Sequence, residues 1–206
     1  METCFETEVG FLPPQQTETK ECVGEDIPPG FTRVTETLDA YTDFDGVPPA
    51  VLAHAAERGE RVHRYCELYS RSLLIEEPDE ESKPYVESFI RWFDYSVACV
   101  IHSELRINSK KYKLSGKFDM LATLKGDTEP TLVDYKSPQH KAKTWPLQTA
   151  AYRILLREEL KINAHRRLCL ILDKDGGRAR VVEYLNHDLD ERLYLNAYEL
   201  SRYFKG

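Results

Sequence analysis

The sequence predicts an α/β protein in which helices flank a central mixed sheet. Two helical patterns precede residue 100, and the apolar spacing then changes to that of strands. A strongly amphipathic helix at residues 145–160 separates the third strand from a final strand pair. Helices followed by three strands, a helix, two strands and a helix are typical of a sheet covered by helices.

The first part of the chain contains a segment without a pattern and then two helices. Residues 1–30 are rich in Glu, Thr, Gln and Pro, so we expect a poorly ordered or loosely docked segment before a single domain over residues 31–206. A helix is expected from about Pro49, because proline is tolerated in the first helical turn. Acidic residues 79–81, followed by aromatic residues at helical spacing, predict a second helix.

The remaining elements alternate between strands and helices. Strands are predicted at residues 100–107, 111–124 and 131–136, with Gly126-Asp127 as the turn between the last two. After the helix at 145–160, two further strands are expected at 167–172 and 178–184. A last helix covers about 189–203.

Composition limits the class of protein. With 206 residues, 41% of them hydrophobic, the chain fits one globular domain. The formal net charge of -7 gives no sign of general nucleic-acid binding, so any cationic patch must be local. The five cysteines are widely spaced and predict neither a disulfide framework nor a zinc site. Without a secretory signal or a membrane-length apolar run, we expect a soluble protein of the cytoplasm, or of the host cytoplasm if the source is viral.

Three charged residues in the second and third predicted strands carry the chemistry. Asp119 lies in the second predicted strand, and Asp134 and Lys136 end the third. Side chains two apart in a strand share a face, so Asp134 and Lys136 project together. Carboxylate oxygens are ligands that Mg²⁺ prefers, and a bound ion would activate water while Lys136 orients it or stabilises negative charge. Because Leu132 and Val133 are apolar, Asp134 ends a buried strand, where a carboxylate needs a partner.

Four short motifs resemble a known family. They are R-G-E-R-V-H ending at His63, G-x-x-D ending at Asp119, D-Y-K ending at Lys136, and Q-x-x-x-Y from Gln148 to Tyr152. In this order, on a helix, two strands and a helix, they resemble the RecB-like branch of the PD-(D/E)XK nuclease superfamily. The proline of the family name is absent, since Phe118 precedes Asp119, as is common in the G-x-x-D branch.

The resemblance implies a restriction-endonuclease-like α/β/α core and a nuclease that hydrolyses DNA phosphodiester bonds with Mg²⁺ or Mn²⁺. It implies that Asp119, Asp134 and the backbone carbonyl of Tyr135 are metal ligands. It also implies Lys136 as the catalytic lysine and His63 as a ligand or positioning group.

The same resemblance implies a biological setting. RecB-like proteins that carry Q-x-x-x-Y often act from DNA ends, so we expect an exonuclease of DNA recombination, repair or phage DNA processing. The chain has no helicase motif, which implies a stand-alone nuclease or a subunit recruited by a recombination or replication protein. The scattered cysteines do not match the four-cysteine iron–sulfur cluster of CRISPR-associated relatives, so no such cluster is expected.

Further candidates lie around these motifs. Gln148 and Tyr152 share a helical face, which either holds a DNA strand by hydrogen bonding and stacking or is simply half-buried. Glu104, on a neighbouring strand, is a candidate second ligand or an exposed carboxylate. Glu67, one turn beyond His63, has the same two interpretations.

Basic residues cluster around the two aspartates and predict a local positive potential, as a phosphate-binding cleft requires. Lys117, Lys141 and Lys143 are the candidates for DNA contact. The whole cluster comprises Lys110, Lys111, Lys113, Lys117, Lys136, His140, Lys141, Lys143, Arg153 and Arg157.

Other functions stay open at this level. A structure-specific or flap endonuclease is the nearest alternative. A catalytically silent DNA-binding module with the nuclease fold is another, although intact Asp119, Asp134 and Lys136 speak against it. A third is an unrelated α/β protein in which the motifs occur by chance.

Overall fold

The computed structural model describes residues 23–24, 26–42, 46–74, 76–138 and 141–205. The strands are β1 (Thr32–Arg33), β2 (Val97–Ser109), β3 (Leu114–Leu124), β4 (Thr131–Lys136), β5 (Arg166–Ile171) and β6 (Arg180–Glu183). The α-helices of these ranges are α1 (Val34–Leu38), α2 (Pro49–Ser70), α3 (Lys83–Ser96), α4 (Trp145–Leu160) and α5 (His187–Lys205). Within this part of the chain, no helix combines the length and apolar character needed to cross a lipid bilayer.

The strands form one mixed sheet that is organised around β3. This strand pairs antiparallel with β2 and β4, and it makes a short parallel contact with β1. β4 runs parallel to β5, with α4 as the connection, and β6 closes the order as an antiparallel neighbour of β5. The predicted mixed sheet is therefore confirmed.

Helices cover both faces of the sheet. On one face, side chains of α1, α4 and α5 such as Val34, Leu155 and Tyr194 form one core layer with Phe118 and Leu132. On the other face, α2 and α3 pack against the sheet. Their core residues include Val62, Cys66, Phe89 and Trp92, which meet Met120, Val133 and Tyr135. This is the helix–sheet–helix sandwich that the order of elements predicts.

Element bounds differ from the predicted ones where turns are stabilised by side chains. The second helix begins at Lys83 because residues 79–82 form a turn in which the Ser82 N–H donates to Asp79 Oδ1 over 3.0 Å. β3 begins only at Leu114, since Lys113 adopts a left-handed φ of 52° that ends the preceding turn. The short β1 and α1 are not signalled by periodicity; the buried Val34 and Leu38 anchor α1.

The predicted N-terminal segment lies largely outside the described residues, which exclude 1–22 and 25. Its described remainder contacts β2. Val23 forms a bridge with Ile107, and the side-chain amide of Asn108 donates to the Asp26 carbonyl over 3.1 Å.

A fully buried arginine fixes the start of α4 to the sheet. Arg167 on β5 is 0% exposed and donates to the Pro146 carbonyl over 2.8 Å. It also donates to Asp190 Oδ2 over 2.6 Å and to His187 Nδ1 over 2.9 Å, both at the start of α5. Hydrogen bonds to a paired, buried guanidinium are directional, so this residue sets where the first turn of α4 lies.

The close approach of α4 to β3 yields a stability prediction. A Cβ at Gly116 would lie 2.6 Å from Leu155 Cδ1, 3.0 Å from Val34 Cγ2 and 3.1 Å from Tyr152 Cδ1. Gly116→Ala should therefore lower the free energy of unfolding by about 1–3 kcal/mol through overpacking, measured by urea denaturation.

Gly59→Ala is the matched control. Gly59 lies in α2, and a Cβ there would meet only Ser137 Oγ, at the ordinary contact distance of 3.8 Å. Alanine favours the helix over glycine, so the free energy of unfolding should rise by about 0.5–1 kcal/mol. Equal effects of the two substitutions would contradict this packing of α4 on β3.

Candidate active site

Three carboxylates form a row across β2, β3 and β4. Ser103 pairs with Met120 and Leu105 with Phe118, which places Glu104 opposite Asp119. The β3–β4 ladder ends at Met120 and Val133, so Asp119 and Asp134 are the next opposed positions. Like charges at opposed positions repel each other, and such a row requires nearby cations.

The row sits where β3 and β4 diverge. Beyond the last ladder pair, the Tyr135 backbone N–H donates to Asp119 Oδ2, so a side chain takes the place of the missing strand partner. Both aspartates are nearly inaccessible, with Asp119 6% and Asp134 2% exposed. The two strands therefore separate at the point where the side chains of Asp119 and Asp134 lie.

His63, Glu104 and Asp119 form a group of potential ligands. One ligand atom from each lies within 4.8 Å of the others. His63 Nδ1 is 3.1 Å from Asp119 Oδ1 and 3.7 Å from Glu104 Oε1, and the second contact is too long for a hydrogen bond. Glu104 Oε1 is buried without a hydrogen-bond partner. A buried carboxylate oxygen in that state fits a divalent cation, which takes oxygen and imidazole ligands.

The group opens into a cleft of about 500 Å³ between α2 and the β2–β3 pair. Lys117 Nζ contacts Glu104 Oε2 over 2.6 Å at its edge. The cleft is lined by Gly59, Glu60, His63, Arg64, Glu67, Glu104, Lys117 and Asp119. Glu67 is among them, although it is engaged by Arg71 at 3.1 Å.

Backbone strain accompanies Glu104. Its φ of 53° is left-handed, a conformation that costs a non-glycine residue on the order of 1 kcal/mol or more. The residue lies in the middle of β2, where extended backbone is the norm. The sequence offered Glu104 only as one of two interpretations, because nothing in strand periodicity signals this local reversal.

Charges in the row shift one another's pKa values. Burial raises the pKa of Asp119, with Asp134 adding to the increase against the opposing effect of His63. For Glu104, burial is outweighed by His63 and Lys117, so its pKa is lowered. Burial lowers the pKa of His63, but the Asp119 and Glu104 carboxylates raise it to about 10 overall. The acidic row thus attracts positive charge strongly, and a divalent cation would relieve the repulsion within it.

Lys136 is held by the Q-x-x-x-Y motif. Its Nζ lies 2.6 Å from Asp134 Oδ2 and donates to Gln148 Oε1 over 2.9 Å. Gln148 Nε2 donates in turn to the Tyr152 hydroxyl over 3.0 Å. Burial lowers the pKa of Lys136, but Asp134 and neighbouring groups raise it overall, so the ammonium stays charged. The Lys136 Nζ also lies 5.5 Å from the centroid of the Trp145 ring.

The burial of Tyr152 bears on the two interpretations of its helical face. Its side chain is only 4% exposed and lies beneath β3 beside Gly116, so its ring has no face for stacking on a base. It holds Gln148, which is half-buried and reaches Lys136. Of the two interpretations of this helical face, the packed one fits the burial of Tyr152, and direct contact with DNA stays a prediction.

Sequence reasoning missed Cys169 altogether. It pairs with Asp134 in the parallel β4–β5 ladder, and its thiol donates to Asp134 Oδ2 over 3.6 Å. Burial raises its pKa well above the usual range, with Asp134 adding to the effect, so it remains a neutral donor. Only the register between two strands distant in sequence brings the residues together.

Most of the predicted basic cluster is engaged internally. Lys111 contacts Glu158 over 2.8 Å, and Arg153 and Arg157 both bind Glu191 on α5. These cations do not surround the aspartates, which corrects the predicted extent of the positive patch. Lys141 and Lys143 are exposed in the loop before α4, and His140 lies outside the described residues.

Fold and site together define a nuclease of the α/β type, with acidic side chains and a lysine where two strands of a mixed sheet diverge. The family model of the PD-(D/E)XK nuclease superfamily matches residues 35–200, and the chain belongs to this superfamily. Nucleases of this superfamily use divalent metals, and His63, Glu104 and Asp119 form a group that could hold such an ion. The restriction-endonuclease-like arrangement implied by the sequence is confirmed.

A solved structure from Eubacterium rectale is similar in fold at low sequence identity. A Eubacterium rectale protein provisionally named an exonuclease is 12% identical with a TM-score of 0.50, over 83% of this chain and 78% of that chain. At this identity the likeness concerns the fold alone. SSO0001 is 11% identical over 86% of this chain and 79% of its own, with a TM-score of 0.37 that supports no further argument. No curated protein matches the chain at a significant level.

The ligand group yields a prediction about metal affinity. Glu104→Gln keeps the shape of the side chain but removes its charge, and it should weaken Mn²⁺ binding about tenfold or more, measured by isothermal titration calorimetry. Glu67→Gln is the matched control, because Glu67 lines the same cleft outside the group and is engaged by Arg71. An unchanged affinity in Glu104→Gln would remove this residue from the ligand set.

Proposed function

We propose that this protein is a divalent-metal-dependent deoxyribonuclease of the RecB-like branch that acts from DNA ends. The observation that carries the proposal is the row of Glu104, Asp119 and Asp134, with Lys136 held beside Asp134 at 2.6 Å. Hydrolysis of a phosphodiester needs countercharge for the phosphate and an oriented water, and such a row beside an ammonium supplies the groups for both.

The residues that would hold Mg²⁺ or Mn²⁺ are His63, Glu104, Asp119 and Asp134, together with the backbone carbonyl of Tyr135. When bound, the ion supplies Lewis-acid chemistry that activates water and neutralises charge on the phosphate. The contact between Asp119 and the Tyr135 N–H fixes one carboxylate in place before any ligand arrives, so the site is preorganised.

Lys136 acts on the reacting phosphate. Its ammonium stays charged, and Gln148 and Asp134 aim it toward the acidic row. From this position it donates hydrogen bonds to negative charge that develops as the phosphodiester is attacked. Tyr152 acts as a positioning residue through Gln148, since it contacts neither the row nor the cleft.

DNA contacts follow the rim of the cleft. Lys117 lines it, while Lys141 and Lys143 are exposed in the loop that leads from β4 to α4. Ammonium groups in such places bind backbone phosphates without reading sequence. Gln148 is half-buried and offers a further polar contact.

Action from ends is supported by the four motifs, which resemble those of the RecB-like branch. A role in DNA recombination, repair or phage DNA processing in the cytoplasm, with a recombination or replication protein as partner, rests on the motifs alone. A flap or other structure-specific endonuclease is the alternative that substrate topology separates.

The first test uses Asp134→Asn. Linear end-labelled and circular DNA are incubated with Mg²⁺, Mn²⁺ or a chelator, and kcat/KM should fall about 10²–10³-fold in the variant because a charged ligand beside the reacting phosphate is lost. Asp188→Asn, on the exposed side of α5, should behave like wild type. Undiminished cleavage by Asp134→Asn would sink the mechanism, and nicking of circles would favour the endonuclease.

A second test separates positioning from DNA contact. Tyr152→Phe removes the acceptor for Gln148 but keeps the buried ring, so kcat should fall about 2- to 10-fold with KM unchanged. Tyr194→Phe, which alters another buried tyrosine hydroxyl near Thr37, should leave kcat unaffected. A raised KM with normal kcat in Tyr152→Phe would show that Tyr152 contacts DNA after all.

A further inference from the structure

A second groove adjoins the active-site cleft on α2. It has a volume of about 420 Å³ and differs in chemistry from the acidic cleft, because it combines an aromatic ring, two leucines and arginines. Its lining consists of Arg61, Arg64, Tyr65, Leu68, Leu73 and Glu76. None of its residues is used by the mechanism above.

The helical repeat places the groove beside the catalytic residues. Glu60, His63, Arg64 and Glu67, at spacings of three and four, face the cleft, whereas the groove is lined by the neighbouring face that begins at Arg61. Arg64 lines both. With a rise of about 1.5 Å per residue, the groove begins within the reach of one or two nucleotides from His63.

Arg64 is the available cation at this boundary. Arg61 is already bound by Asp79 at 3.3 Å and by Glu81 at 2.7 Å. Among the described residues, by contrast, Arg64 has neither an ion-pair partner nor a hydrogen bond, and its side chain is exposed. An unpaired guanidinium next to a nuclease centre is suited to a phosphate of the bound strand.

The rest of the groove suits a flat aromatic group. Tyr65 and Leu68 are half-buried on α2, and Leu73, 54% exposed, lines the groove from the loop after α2. Aromatic rings accept any nucleobase by stacking, and stacking of one base contributes about 1–3 kcal/mol. Leucines on either side would exclude water from the base faces.

We propose that this groove binds one unpaired nucleotide next to the scissile phosphodiester, with its phosphate on Arg64 and its base on Tyr65. The proposal rests on the proposed nuclease function and adds a substrate class to it. A base can enter the groove only when it has left its pair and stack, so the preferred substrate has a single-stranded or frayed end.

The first experiment removes the base from the DNA rather than the ring from the protein. Single-stranded oligonucleotides with one abasic position, moved stepwise along the strand, are digested by the wild-type protein with Mn²⁺. Digestion should slow about 5- to 150-fold in kcat/KM when the abasic position occupies the groove, the fold-change that corresponds to one lost stack. The slow step should recur at one fixed distance from the abasic position.

A protein variant and the abasic substrate together form a double-mutant cycle. Tyr65→Leu should lower kcat/KM on intact DNA by a similar factor, yet should show no further slowing at the abasic position, because the two changes remove the same contact. Tyr203→Leu, which removes an exposed tyrosine on α5, is the matched control and should keep the wild-type pattern. Thermal unfolding of both variants checks that they fold.

Arg64 is tested separately by salt dependence. Binding of a fluorescent single strand is followed by anisotropy in a chelator, where no hydrolysis occurs. Arg64→Gln should reduce the slope of log Kd against log salt by about 0.7, the contribution of one phosphate contact on single strands. Arg192→Gln, exposed on α5, should leave the slope unchanged.

The outcomes separate the groove from the catalytic proposal. Equal digestion at every abasic position by wild type, or equal affinity of Tyr65→Leu and wild type for single strands, would overturn the groove while leaving the nuclease intact. Absence of metal-dependent cleavage by wild type would overturn the proposed function, and the anisotropy measurements would still decide whether the groove binds DNA.

Discussion

Repulsion among three carboxylates is the constraint around which this molecule is arranged. Glu104, Asp119 and Asp134 lie on the neighbouring strands β2, β3 and β4, and the two aspartates are almost fully buried. Such a row survives only because His63, Lys117 and Lys136 each approach one member of it. The left-handed backbone of Glu104 and the end of the β3–β4 ladder both lie at these carboxylates. The conformational free energy that such a backbone costs is offset by the surrounding core.

Helix α4 orients Lys136 beside the row of carboxylates. α4 approaches β3 closely because Gly116 has no side chain, and Gln148 on this helix reaches Lys136 on β4. Tyr152 contacts Gln148 because the two residues are one helical turn apart. On the opposite side, Arg167 binds the first turn of α4 and the start of α5. The glycine of one motif and the glutamine and tyrosine of another therefore belong to one packing arrangement, which explains why these short patterns occur together in this chain.

Periodicity in the sequence was sufficient for features that depend on one element. The bounds of β4 and α4 and the shared face of Asp134 and Lys136 follow from alternation and helical spacing. Periodicity was insufficient for contacts between elements that are far apart in the sequence. Cys169 contacts Asp134 because of the register between β4 and β5. Arg153 and Arg157 form ion pairs with Glu191 on α5, so they do not add to the predicted cationic cluster. Glu104 needed a backbone reversal that no propensity describes.

The pairing of those arginines with Glu191 also bears on how the protein meets DNA. A chain with a net charge of -7, in which Arg153 and Arg157 are paired with its own Glu191, projects little attractive field for DNA beyond its surface. Electrostatic steering, which can bring association rates to about 10⁸ M⁻¹ s⁻¹, is then weak, and association with DNA depends on random collision with the cleft. For the proposed nuclease, weak steering means that the rate of encounter with DNA, rather than the strength of binding once bound, limits how fast substrate is taken up.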